Sequence, residues 1–181
     1  MTRTTPLTLL AVILLVTAVT PALADDQETV NTATAAYARN LAFVGDRAVQ
    51  LAEAIPAESY GWRPMEGVRS VSEAIMHMAG ANYFFASRLG TEVPEGVDPQ
   101  AMEQITDQGE CVTALRTSIE HLSDAYAAVG DVQAKIDIFG NEGTVEDMML
   151  IAIGHVHEHF GQLIAYARSN GIAPPWSQPQ G

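Results

Sequence analysis

Two histidines near the C-terminus, His155 and His159, have the residue type and the spacing of a metal site. They stand four residues apart, so on a helix their side chains lie one turn apart on one face and both imidazoles can reach one ion. His157 lies between them and points to the far side of such a helix, where we interpret it as a solvent-exposed histidine. The spacing therefore predicts that one helix contributes two ligands to a metal site.

The segment that carries this pair, residues 144–169, has the periodicity of one long amphipathic helix. Six of its residues recur every three or four positions and share one face: Met148, Ala152, His155, His159, Gln162 and Tyr166. Thr144 stands three residues before Asp147, which is a capping-box pattern, and Asn170 with Gly171 marks the end. We therefore expect both histidines to face the interior of the protein.

This pair has two alternative interpretations besides a bundle metal site. The letters from His155 to His159 also fit the H-x-x-E-H motif of inverted zinc proteases, with Glu158 as the general base. Those proteases take a third ligand from a glutamate far downstream, and no acidic residue follows Glu158 here, so we set this alternative aside. In the second alternative, which stays open, the two are core histidines hydrogen-bonded to polar neighbours without a metal.

A further histidine, His77, lies on or beside the inward face of a second predicted helix, residues 70–89. A metal site needs a ligand from another element to close it, so His77 is the candidate third ligand. Glu73 and Gln162 are the candidate catalytic or ligand-orienting residues, because each stands about one turn from a candidate ligand. Glu73 is also expected to form a capping box with Ser70.

The rest of the chain supplies elements that can hold these residues. Amphipathic periodicity predicts four helices, at about residues 28–55, 70–89, 110–129 and 144–169. Residues 135–139 are expected to be extended, and the acidic connector of residues 90–109 is assigned no function. The predicted fold class is all-α, a four-helix bundle with crossover connections, in which a site is built in the core from facing helices.

The N-terminus has the pattern of a secretory signal peptide. Residues 1–24 combine Arg3, an apolar run and an Ala-x-Ala cleavage site that ends at Ala24. The apolar run is shorter than the ~20 residues that span a bilayer, which disfavours the alternative of an uncleaved anchor. We therefore expect one bundle domain, residues 25–181, in the periplasm or outside the cell, with no membrane association after cleavage.

Charge and cysteine content exclude several function classes. The formal net charge is −13, so nucleic acid and anionic membrane surfaces are poor partners. Cys111 is the single cysteine, which excludes an intrachain disulfide, and we interpret it as a buried apolar residue. His121 lies off the apolar stripe of its predicted helix and is interpreted as a surface residue.

Several motifs together resemble one known family. Trp62-Arg63-Pro64 comes first, then the segment SVSEAIMH that ends at His77, then HVHEHFGQ that ends at Gln162, and finally Gly171 before two prolines. In this order they resemble the DinB superfamily of metal-binding bundles, over about residues 41–175. The histidine pair followed by Gly-Gln, with a histidine on the second helix, is the most specific part.

The resemblance implies an up-down-down-up bundle, often dimeric, with a divalent metal held by three histidines that correspond here to His77, His155 and His159. Zinc and nickel are the ions usually associated with such sites, and iron and manganese also occur. Known relatives include S-transferases and isomerases that use a low-molecular-weight thiol. An exported member departs from the cytoplasmic pattern of those enzymes.

Three functional hypotheses follow. The first is a metal-dependent transferase or hydrolase acting on a small-molecule substrate, since three neutral nitrogen ligands leave positions open on the ion. The second is a non-catalytic bundle that binds a metal or a small ligand. The third is a scaffold without a metal. The sequence favours the first two over the third.

Overall fold

A computed structural model describes residues 21–177, with side chains from residue 32 onward. This part of the chain is mostly helical and contains four long helices: α1 (Pro21–Ala54), α2 (Val71–Arg88), α3 (Gln108–Ala127) and α4 (Val145–Ser169). Three of them match their predicted ranges to within two residues, whereas α1 is described from a point well before residue 28. Residues 1–20 of the predicted signal peptide lie outside the described residues, so that prediction stays untested.

Capping side chains fix where α2 and α4 begin. The Ser70 hydroxyl accepts a hydrogen bond from the Glu73 backbone N–H at 3.3 Å, and the Glu73 carboxylate accepts one from the Ser70 N–H at 2.8 Å. Thr144 and Asp147 form the same reciprocal pair at the start of α4. Each pair satisfies backbone N–H groups that have no partner inside the helix. Both predicted capping boxes are confirmed, and they set the register of the two helices that carry the candidate ligands.

The helices form a closed bundle in which α1 and α2 each pack against both α3 and α4. Side-chain contacts show that α1 and α4 run in the same direction. The Tyr37 hydroxyl donates to Glu146 near the start of α4, and Asn40, further along α1, contacts His157, further along α4.

Side-chain contacts show that α2 and α4 run in opposite directions. Just before α2, the Arg69 carbonyl accepts a hydrogen bond from the Tyr166 hydroxyl near the end of α4. Further along α2, His77 meets His155, which lies earlier in α4. This antiparallel arrangement brings the middle of α2 beside the middle of α4, where the candidate ligands lie.

The core lies between the four helices, which all contribute apolar side chains without solvent exposure: Leu41, Leu51, Ile75, Met78, Leu115, Leu122, Met148 and Leu163. Some polar groups in the core are satisfied by the backbone, as when the Tyr126 hydroxyl donates to the Met149 carbonyl at 2.7 Å. Within residues 21–177, none of the helices has both the length and the apolar character needed to cross a membrane.

The connector between α3 and α4 contains a β-hairpin, which the all-α prediction did not include. Strands β1 (Lys135–Ile138) and β2 (Asn141–Thr144) pair antiparallel, with Ile138 opposite Asn141 across a two-residue turn. The extended conformation expected for residues 135–139 is thus confirmed up to residue 138. The second strand was missed because its sequence, with asparagine, glutamate and glycine, lacks the apolar alternation that signals a strand.

Candidate metal centre

Three histidines from α2 and α4 meet at one place in the bundle. The Nε2 atoms of His155 and His77 are 3.3 Å apart, and those of His159 and His155 are 3.1 Å apart. One ligand atom from each of the three lies within 4.8 Å of the others. His159 is buried, and His77 and His155 are partly buried. The structure therefore brings together all three residues that the sequence predicted as metal ligands.

Hydrogen bonds to the opposite ring nitrogens fix how two of these imidazoles are protonated. The Nδ1 atom of His77 lies 2.9 Å from the Glu103 carboxylate, and that of His159 lies 2.8 Å from the Gln162 side-chain oxygen. Both oxygens only accept hydrogen bonds, so each Nδ1 carries the proton and each Nε2 presents a lone pair to the cluster. This is the orientation that a metal-binding histidine needs.

The separations match a set of metal ligands. A divalent ion about 2.1 Å from each nitrogen would hold nitrogens about 3.0–3.4 Å apart at octahedral or tetrahedral angles. The two Nε2 separations at His155, 3.1 and 3.3 Å, fall in this interval. Without an ion, the His155 Nε2 would have to hydrogen-bond to both neighbouring Nε2 atoms. It carries at most one proton, so it cannot donate to the lone pairs of both His77 and His159. The Nδ1 atom of His155 is buried and has no hydrogen-bond partner among the described residues. The donor set thus fits a divalent metal.

Burial favours the neutral form of two of these imidazoles, His77 and His155. The pKa of His155 is lowered from 6.5 to about 4, mainly by burial and also by the neighbouring His159, His77 and Arg69. Burial also lowers the pKa of His77, with a contribution from Arg69 and an opposing one from Glu103. A neutral imidazole is the form that ligates a metal, so these lowered pKa values favour metal binding by His77 and His155 at neutral pH.

Glu103 is a functional candidate that the sequence reasoning missed. It lies on a short 3-10 turn (Met102–Gln104) in the connector to which no function was assigned. Its carboxylate accepts a hydrogen bond from His77 and three more from Arg69, the shortest at 3.0 Å. Partial burial raises the pKa of Glu103, but Arg69 and then His77 outweigh this effect and lower the pKa below its usual value. The carboxylate is therefore ionised and can hold the His77 N–H.

The two candidate catalytic or ligand-orienting residues, Gln162 and Glu73, have different surroundings. Gln162 contacts the cluster directly: it accepts from His159, and its amide N–H donates to the Tyr166 hydroxyl at 2.7 Å. Glu73 instead uses its oxygens for the α2 cap and for an ion pair with Arg63 at 3.0 Å. Gln162 is thus placed to orient a ligand, whereas the contacts of Glu73 are structural.

Three residues outside the cluster were also predicted. His157 is exposed and Cys111 is fully buried, as expected. His121, which was predicted to lie at the surface, is partly buried. Its ring packs against Tyr83 at 5.0 Å between centroids, and its Nε2 atom is buried, because the α2–α3 interface extends beyond the apolar stripe.

Two clefts of different character open beside the histidines. A charged cleft of about 760 Å³ includes Arg63, Arg69, Glu158 and His159. A second cleft of about 530 Å³ is largely apolar and is bordered by His77 and His155. Glu103 borders both clefts. Small molecules can therefore approach the cluster from two sides with different chemistry.

Comparison with known proteins identifies the family. The model of the DinB superfamily matches residues 40–163, most of the chain, and this match includes all three histidines. The chain therefore belongs to the DinB superfamily. None of the curated protein sequences is similar enough to match this chain.

Solved structures of DinB-like proteins share the fold. A DinB-like protein from Bacillus cereus aligns with a TM-score of 0.67 at 15% identity, covering 77% of this chain and 93% of its own. The DinB-like protein YjoA from Bacillus subtilis aligns with a TM-score of 0.61 at 18% identity, covering 80% and 99%. YfiT from Bacillus subtilis, described as a probable metal-dependent hydrolase with an unusual four-helix bundle topology, aligns with a TM-score of 0.60 at 15% identity, covering 77% and 89%. At these identities the likeness concerns the fold.

Proposed function

We propose that this chain is a metal-dependent enzyme in which His77, His155 and His159 hold one divalent transition-metal ion, with hydrolysis of a small molecule as the favoured reaction. The observation that carries the proposal is the convergence of three Nε2 atoms, two of them with their lone pairs fixed by Glu103 and Gln162. A divalent ion bound there supplies a Lewis acid that can activate a water or thiol molecule.

The surrounding side chains hold the ligands in place. The Arg69 guanidinium fixes the Glu103 carboxylate, which in turn orients the His77 ring. On the other side, a chain of hydrogen bonds runs from the Arg69 carbonyl through the Tyr166 hydroxyl and the Gln162 amide to His159. Such supporting partners fix the tautomer of a ligating histidine and raise its basicity.

Hydrolysis is favoured over thiol transfer for two reasons. YfiT, which shares this fold, is described as a probable metal-dependent hydrolase. The signal-peptide pattern of residues 1–24 supports export to the periplasm or beyond, where cytosolic thiol cofactors are scarce. Export, and zinc or nickel as the bound ion, are parts of the proposal.

The proposed topology is up-down-down-up, and the helix contacts support it. The contacts run parallel between α1 and α4 and antiparallel between α2 and α4. At the junction of α1 and α3, Gln108 at the start of α3 donates to the Ile55 carbonyl just after α1 ends, at 2.8 Å. This contact is what an antiparallel pair requires.

A second candidate function is a non-catalytic metal or small-ligand binder. This function is favoured because two carboxylates near the histidines already have hydrogen-bond partners. Glu73 is bound by Ser70 and Arg63. Glu103 is bound by Arg69 and His77. Neither is free to move a proton without losing a structural partner.

An activity screen with matched variants separates these functions. Purified protein loaded with zinc or nickel is assayed with chromogenic esters and anilides, and with a thiol and an electrophile. His155→Ala removes a proposed ligand, and His157→Ala, two residues away on the exposed side of α4, is the control. We expect turnover that needs the ion, falls to background in His155→Ala and persists in His157→Ala. Stoichiometric metal with no turnover on any substrate would contradict the enzyme and support the binder.

A further inference from the structure

The apolar cleft beside the histidines is lined by a continuous run of aromatic rings. The Phe85 ring meets His155 edge to face, with centroids 5.4 Å apart. Phe84 follows at 5.5 Å from Phe85, and Phe139 stacks on Phe84 at 6.2 Å with ring planes only 12° apart. The cleft volume of about 530 Å³ lies within the range of small-molecule sites. An aromatic wall thus leads from the proposed metal ligands to the surface.

Phe139, the outermost ring of this aromatic wall, lies at a backbone position that disfavours phenylalanine. Phe139 and Gly140 form the two-residue turn of the hairpin, and their φ angles are 52° and 86°. Positive φ at both positions is the pattern of a type I′ turn, in which asparagine, aspartate or glycine is preferred at the first position. A bulky residue there is strained, and such strain is typical of functional positions. The turn therefore holds Phe139 at a cost to hairpin stability.

The hairpin is tied to the helix that carries His77. The Arg88 guanidinium at the end of α2 donates to the Asp137 carboxylate at 3.1 Å and also to the Asp137 carbonyl. This pair lies two residues from Phe139. It links the hairpin to the end of α2, close to the stacked rings of Phe84 and Phe139.

Solvent exposure of these rings indicates a surface shaped for a ligand. Phe84 is 42% exposed and Phe139 is 63% exposed. The other cleft at the cluster is charged, with Arg63 and Arg69 among its residues. The two sides of the site therefore suit different parts of one molecule.

We propose that the Phe84–Phe85–Phe139 cleft is a specificity subsite that receives an aromatic ring, or an apolar group of similar size and flatness, of the substrate. The inference rests on the proposed function for the adjoining reactive centre, since the cleft is bordered by His77 and His155. A substrate bound this way has its ring against the phenylalanines and its polar reacting group at the histidines. An aromatic group packs most favourably against other aromatic rings in stacked or edge-to-face arrangements.

The test uses one probe for the ring alone and a pair of probes for the whole site. Fluorine NMR measures binding of para-fluorobenzyl alcohol to metal-free protein, which tests the subsite without the metal. Titrations of zinc-loaded protein then compare benzohydroxamate with acetohydroxamate, which share the chelating group and differ in the ring. The variants are Phe84→Ala and Phe139→Asn, with Phe43→Ala as the control because Phe43 is 55% exposed on α1, away from the cleft.

We expect the fluorinated ring to bind wild type and Phe43→Ala, and to bind Phe84→Ala and Phe139→Asn at least about tenfold more weakly, the loss expected when a ring contact is removed. Benzohydroxamate should bind zinc-loaded wild type at least about tenfold more tightly than acetohydroxamate, and the same variants should remove that preference. Phe139→Asn should also leave the protein at least as stable as wild type, because asparagine suits the turn. Lost binding in a stable variant cannot be attributed to unfolding.

The outcomes for the subsite and for the metal are distinct. Ring binding that is absent from wild type, or unchanged in both cleft variants, overturns the subsite, even if acetohydroxamate binds in a zinc-dependent way. If acetohydroxamate binding does not depend on zinc while the ring still binds through Phe84 and Phe139, the proposed metal function fails and the subsite stands.

Discussion

Replacing Glu103 by alanine tests whether the hydrogen bond to His77 supports metal binding. The carboxylate accepts from the His77 Nδ1 at 2.9 Å, and this bond is what leaves the Nε2 lone pair pointing at the cluster. Loss of such a partner lowers metal affinity about 10–100-fold, which corresponds to about 1.4–2.7 kcal/mol. The expected effect is in the upper half of this range, because the same carboxylate also neutralises Arg69 beside the site.

The measurement is a competition titration of zinc against a chromogenic chelator at neutral pH. Glu95→Ala is the matched control, since it removes the same charge from the same connector at an exposed position. Glu103→Gln keeps a neutral oxygen acceptor and should lie between wild type and Glu103→Ala. Zinc affinity that is unchanged in Glu103→Ala would refute the orienting role. An equal loss in Glu95→Ala would show that only net charge matters.

Three further predictions concern packing, reactivity and the second ligand support. A Cβ at Gly80 would meet a backbone carbonyl of the α2–α3 connector at 2.7 Å, so Gly80→Ala should destabilise by about 1–3 kcal/mol in urea unfolding. Gly154→Ala, which meets nothing within 4 Å, should stabilise by about 0.5–1 kcal/mol, and two changes of the same sign would contradict this packing. Burial raises the pKa of the Cys111 thiol to about 12, so Ellman's reagent should label it at pH 8 only in unfolded protein, and rapid labelling of the native state would disprove its burial. Gln162→Leu should lower zinc affinity about tenfold, because His159 loses its partner, and an unchanged affinity would remove Gln162 from the site.

Local sequence signals predicted the helices and the histidines well. His155 and His159 converge because an i, i+4 pair always shares a helix face, so their spacing alone was sufficient. The capping pairs at Ser70 and Thr144 determined helix starts for the same local reason. These features depend on contacts within one turn of helix, which periodicity describes.

Contacts that depend on how a connector packs against the helices could not be predicted from the sequence. Glu103 reaches His77 across 26 residues of sequence from an irregular segment, and nothing in its local pattern distinguishes it from the other acids there. The aromatic wall was missed for a similar reason. Phe139 comes beside Phe84 only through the hairpin, and a phenylalanine at a turn position does not indicate a type I′ turn.

The central claim is that three histidines bind one metal ion, and elemental analysis tests it most directly. Wild type, His77→Ala, His155→Ala and the His157→Ala control are purified without a metal-binding tag, reconstituted with zinc or nickel and desalted. We expect one equivalent of metal in wild type and in His157→Ala, and its loss in both ligand variants. Absence of metal from reconstituted wild type, or equal metal in all four proteins, would contradict the three-histidine site.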